Sequence, residues 1–163
     1  MNDNNYRKEI INAMLEHVGK DARIMLLVGD MGFGVVDNFK KEFPGRIFNC
    51  GMMEQGMVGI AAGMAMAGLK PVVYCIVNFL AFRAIEQIRN DVIMQDLNVK
   101  FIATGVNDYF KFLGDSHCCG QDDKVIMKLI GMPVFDPYVE DCDDFSGMVD
   151  SWMSSEQAGY IRV

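Results

Sequence analysis

Short unbroken runs of branched apolar residues alternate along this chain with stretches whose apolar residues recur every third or fourth position, and that alternation leaves few folds open. Ile24 to Val28, Ile47 to Cys50, Pro71 to Val77, Val99 to Thr104, Pro133 to Asp136 and Tyr160 to Val163 have strand length and favour Val and Ile. Between them Tyr6 to Val18, Val35 to Phe43, Met53 to Ala67, Leu80 to Gln95, Asp123 to Ile130 and Asp141 to Ser154 carry helical spacing. A strand that is apolar throughout is buried on both faces, which requires a parallel sheet covered by helices on either side. The predicted class is therefore α/β: a three-layer, doubly wound, mostly parallel six-stranded sheet. Gly68 and Gly131 fall just past two of the helices, where a left-handed glycine closes the last turn.

With 163 residues, 51% hydrophobic and 23% charged, the chain can bury one sizeable core, so a single domain over residues 1–163 is expected. A formal charge of −7 repels nucleic acid and anionic lipid. The polar start, Met1 to Lys8, and the lack of a long apolar run predict a soluble cytoplasmic protein. Five cysteines (Cys50, Cys75, Cys118, Cys119, Cys142) leave an odd one and show no CxxC spacing, which fits reduced thiols.

In an open parallel sheet ligands bind beyond the carboxyl ends of the strands, so the loops there are where chemistry belongs. Three stand out. Glu54 follows the second strand and opens an almost wholly apolar helix; favouring the helix dipole is the plain explanation. Phe79 and Phe82, three apart at the exit of the third strand, fall on one helical face, where core packing is the default. The segment Gly105 to Asp122 lacks periodicity and holds His117, one of two histidines. A loop histidine is by itself more often a surface residue than a catalyst.

Taken together the text is more specific. The stretch from Arg46 to Pro71, RIFNCGMMEQGMVGIAAGMAMAGLKP, closely resembles the pyrimidine-binding domain of transketolases and 1-deoxyxylulose-5-phosphate synthases. The resemblance continues through NFLAFRAIEQIRND (Asn78 to Asp91), NVKFIAT (Asn98 to Thr104), Gly114, His117 and Asp122, and covers the chain from about Ala22 onward. It implies a thiamine diphosphate-binding fold. Glu54 would hydrogen-bond the cofactor's aminopyrimidine, which then supplies its own base, and a seat among Met52, Met53, Met57 and Ile60 would desolvate the carboxyl and raise its pKa. Phe79 and Phe82, with Ile85 where the family often carries another aromatic, would wall the ring, and Met53 counts among the cofactor-binding positions. His117 would face the substrate and stabilise a growing oxyanion.

Departures from the family pattern matter too. Leu113 takes the place of an acidic residue that reads a sugar hydroxyl in transketolases, which points to a deoxygenated or differently configured substrate. The GDG motif and downstream asparagines that hold Mg²⁺ and the diphosphate have no match here; Gly29-Asp30-Met31 and Gly114-Asp115-Ser116 read as a strand exit and a turn. Neither a diphosphate-binding domain nor the family's C-terminal domain is expected within the chain. A partner subunit would then hold Mg²⁺ and the diphosphate end, in an α2β2 assembly, and no metal site is expected in this chain. The 14 methionines suit adaptable contacts, although core filling explains most of them. Adjacent Cys118 and Cys119 are poorly spaced for zinc, and Asp141, Asp143 and Asp144 favour a helix start. The leading reading is ketol or acyl transfer to an aldehyde or sugar acceptor. A subunit of a two-chain 2-oxo acid decarboxylase and a non-catalytic regulatory domain are the alternatives.

Overall fold

The computed structural model describes residues 6–139 and 144–163. Helix α1 (Tyr6–Lys20) leads into β1 (Ile24–Val28), α2 (Asp37–Glu42), β2 (Ile47–Asn49), α3 (Glu54–Met66) and β3 (Lys70–Ile76). A wound segment containing α4 (Ile85–Gln87) follows, then β4 (Lys100–Thr104), α5 (Asp122–Leu129), β5 (Val134–Phe135), α6 (Phe145–Ser154) and β6 (Gly159–Arg162). The strands form one sheet in the order β2-β1-β3-β4-β6-β5, and every pairing is parallel. All six expected strands are present, and the sheet is wholly rather than mostly parallel.

Period-two alternation lets each apolar run feed two cores at once. Val72 and Tyr74 of β3 join Leu26, Val28, Ile102 and Ile161 under α1, α2 and α6, where Ile10, Phe39 and Trp152 are buried. Val73 and Cys75 turn the other way, with Leu27, Phe101 and Tyr160, against α3 and α5. Both glycine caps form as expected. Gly68 (φ +86°) and Gly131 (φ +78°) close Schellman turns, in which Leu69 N donates to Met64 O and Met132 N to Met127 O.

The helix expected over Leu80 to Gln95 is not one regular α-helix. Phe79–Arg83 and Ile88–Ile93 are π-helical, flanking the single turn α4, with Ala84 N donating to Phe79 O and Met94 N to Arg89 O across five residues. The extra residue in each turn rotates the side chains away from α-helical registers, and such turns gather at functional sites. At α6, Asp144 caps the N-terminus by accepting from Gly147 N at 2.8 Å. The helix start expected at Asp141, together with Cys142 and Asp143, lies outside the described residues.

Candidate active site

Because every strand is parallel, all carboxyl ends share one edge, and the chain order reverses between β1 and β3. That reversal opens the crevice where such sheets take ligands. Gly29, just past β1, lies so close to the crevice that a Cβ there would stand 3.4 Å from Cys75 Sγ and 3.5 Å from Met57 Cε. Glu54, the first residue of α3, enters the same crevice and is 1% exposed.

The carboxylate does not have the apolar seat expected for it. Of the four residues assigned to that seat only Met57 is buried; Met52, Met53 and Ile60 are exposed. Polar neighbours from β3 and the following turn meet Glu54 instead. Arg83 Nη1 donates to Oε2 at 2.6 Å and Cys75 Sγ to Oε1 at 3.7 Å. Burial, reinforced by the adjacent Glu54 charge, pushes the Cys75 thiol well up, so it stays a neutral S–H donor. The expectation of a desolvated carboxyl holds for its exposure and fails for the residues that surround it, because the N-terminus of α3 turns Met53 outward, folded back toward Gly56.

Arg83 links the carboxylate to the rest of the edge. Its guanidinium lies 4.1 Å from the Phe79 ring centroid, and the Phe79 ring meets His117 edge-on at 5.2 Å. Glu54, Arg83, Phe79 and His117 thus form one continuous array. Phe79 and Phe82 differ in exposure. Phe82 is 51% exposed on the π-helical turn, while Phe79 and Ile85 are partly buried against the inner core. His117 sits on a 3₁₀ turn, Asp115–His117, its Nδ1 3.0 Å from Ser116 Oγ. Leu113 is half exposed at the tip of the same loop.

Further residues that the sequence analysis did not assign to the site shape this edge. Asn78 Nδ2 donates to Ser116 O at 2.9 Å and to Cys118 O at 2.8 Å. Arg162, at the end of β6 and fully buried, donates from Nε to Asp123 Oδ2 at 2.8 Å, from Nη1 to Asp136 Oδ2 at 2.6 Å and from Nη2 to Gly120 O at 3.2 Å. Tyr160 and Lys124 complete the network, on Asp123 and Asp136 respectively. Burial pushes the Asp136 carboxyl up, but Lys124 and Arg162 outweigh it and hold the group below its ordinary range. Burial and the Asp123 charge push Cys119 up to about 12, which makes it an inert packing thiol. The signal that finds Arg162 is a charge inside an apolar run, since a buried cation requires a partner.

The family model for the transketolase pyrimidine-binding domain matches residues 3–154. The chain belongs to that family. This transketolase-type domain is 31% identical over 158 residues to one subunit of the apulose-4-phosphate transketolase of Phocaeicola vulgatus, covering 96% of the chain and 50% of that protein. It is 30% identical over 132 residues to a 6-deoxy-6-sulfo-D-fructose transketolase subunit of Clostridium sp. strain MSTE9, covering 80% of the chain and 41% of that protein. A solved split-gene transketolase, described as an inactive beta4 tetramer, superposes with a TM-score of 0.81 at 32% identity, over 96% of the chain and 50% of its own. The transketolase of Campylobacter jejuni shares the fold at a TM-score of 0.74 and 15% identity, over 95% of the chain and 25% of its own. The chain therefore spans half or less of the length of these relatives. The family is thiamine diphosphate-dependent. No helix among the described residues of the pyrimidine-binding domain is long and apolar enough to cross a membrane.

Proposed function

We infer that this chain is the pyrimidine-binding part of a two-chain, thiamine diphosphate-dependent transketolase-type enzyme. One observation carries the reading: a carboxylate 1% exposed at the start of α3, joined through Arg83 and Phe79 to His117 at the carboxyl edge of the sheet. The residues present fit the ring half of the cofactor. Glu54 offers a desolvated oxygen to an aminopyrimidine nitrogen, in the place Arg83 Nη1 takes on Oε2, and Phe79, Phe82 and Ile85 offer apolar flanks, with Met53 at the mouth. When bound, thiamine diphosphate supplies the nucleophilic carbon at which a donor's carbon–carbon bond is broken and remade.

The chain's own residues bind, orient and donate. Glu54 would meet the pyrimidine through the carboxyl oxygen that Arg83 now faces. Arg83, half exposed, is free to swing from Glu54 toward solvent or substrate when the ring enters. His117 presents a ring nitrogen to an oxyanion developing on the substrate. A second subunit holds Mg²⁺ and the diphosphate in an α2β2 assembly; among the described residues no three His, Cys, Asp or Glu side chains converge on a point that holds a metal. Both relatives are named as transketolase subunits, one for 6-deoxy-6-sulfo-D-fructose and one for apulose-4-phosphate, which favours transfer over decarboxylation, and Leu113 suits an acceptor lacking the hydroxyl that an acid would read.

The test is reconstitution. The chain, mixed with a diphosphate-binding subunit, thiamine diphosphate and Mg²⁺, is screened with ketose and 2-oxo acid donors and aldehyde acceptors. Turnover is expected only in the mixture, and Glu54→Gln is expected to lower it at least about a hundredfold with co-purification of the two chains intact. Near-normal turnover in the Gln variant removes Glu54 from the reaction.

A further inference from the structure

We propose that Asn78 is a positioning residue that fixes His117 at the site. The loop bearing His117 is held at its two ends, where Gly120 N donates to Asp108 Oδ1, Gln121 Nε2 donates to Asn107 Oδ1 and Arg7 lies over the Tyr109 and Phe110 rings. Residues 107–117 are largely exposed, and the backbone turns left-handed at Asn107, Asp108, Gly114 and Gly120. Within that stretch Phe110 is the one buried apolar side chain, seven residues before His117.

Asn78 supplies what apolar contact does not. It extends from the exit of β3, two residues beyond the strand that carries Cys75, and it is 8% exposed. Both amide protons go to the loop, one to the carbonyl before His117 and one to the carbonyl after it. The first carbonyl belongs to the peptide that enters His117 and the second to the Cys118–Cys119 peptide one residue further on, so one side chain holds the turn on both sides of the imidazole. The amide cannot be reversed, because its oxygen would then face two carbonyl oxygens. Its own Oδ1 is buried with no partner among the described residues, a cost accepted so that both donors point at the loop. Downstream, Arg162 takes the carbonyl of Gly120 from the core side. The His117 turn is therefore pinned before and after the imidazole, with the Phe79 edge contact beneath it.

The role of His117 in turnover rests on the function proposed above, so the test separates the two. Asn78→Asp keeps the shape but sets a carboxylate oxygen against the two carbonyls; Asn78→Ser, with one donor, serves if the Asp variant does not fold. Hydrogen exchange on the chain alone is expected to quicken about tenfold or more at residues 115–119 while β1, β3 and β4 stay protected. In the reconstituted enzyme kcat is expected to fall roughly ten- to a hundredfold, and less than about twofold when His117 is already Ala, because Asn78 acts through that ring. Unchanged loop exchange overturns the proposal, as does an equal loss of kcat in the two backgrounds. Full activity in His117→Ala alone would instead remove His117 from the reaction, and with it the positioning role of Asn78.

Discussion

Arg162 stands at a position with no exposure, in a strand where its neighbours Tyr160, Ile161 and Val163 are also buried. A guanidinium is kept there by carboxylates on two other elements, bidentate to Asp123 and single to Asp136, so the three segments meeting at the His117 loop are tied by charge as well as packing. Removing the cation alone leaves two buried acids facing each other. Arg162→Met is therefore expected to lower unfolding stability by about 3–5 kcal/mol, read from urea melts; a loss within about 0.5 kcal/mol would mean solvent reaches the cluster. Glu54 teaches the same lesson from the other side. That it is a buried acid at a strand exit was readable from an apolar helix opening on a carboxylate. Its partner was not, because Arg83 lies 29 residues away and meets it only after the chain crosses the sheet.

Among the elements, capping was legible and winding was not. A glycine placed just after an apolar-periodic run has one physical use, the left-handed closure seen at Gly68 and Gly131. Open space surrounds the missing Cβ of Gly131, so Gly131→Ala isolates the backbone term: about 1 kcal/mol lost in thermal or urea unfolding, with unchanged structure elsewhere. The segment after β3 read as an α-helix because its apolar residues recur at short intervals. Beside Ala81, its buried residues Leu80, Ala84, Ile88 and Val92 recur every fourth position, wider than the 3.6 of an α-helix, and that wider spacing is the trace of the π-turns. That trace is faint in sequence, since a spacing of four fits both windings over one or two turns. In this winding Phe82 stands half exposed and Phe79 meets the His117 ring.

For the whole molecule, a buried lysine sets part of the pH response. Lys100, 3% exposed, donates from Nζ to Ser155 O and Gln157 O, tying the sheet to the end of α6. Burial pulls its amine down to about 8 from 10.5. Between those values the unfolded chain binds a proton that the native chain does not, so this group makes stability rise with pH; below about 8 both states are charged and the penalty is complete. Relative to Lys100→Met, the wild-type chain is expected to gain up to about 3 kcal/mol between pH 7.5 and 10.5, measured by urea unfolding. A constant difference across that range would show that the amine stays charged in the fold. The sequence by itself determined the layered parallel sheet, its six strands, the helix ends and the carboxylate at the edge, because periodicity, glycine placement and burial are local properties that each short segment states on its own. Tertiary structure alone decided which side chains meet: Arg83 on Glu54, Asn78 astride His117 and Arg162 between two acids all join residues 26 to 42 positions apart, through a strand order that no local pattern encodes.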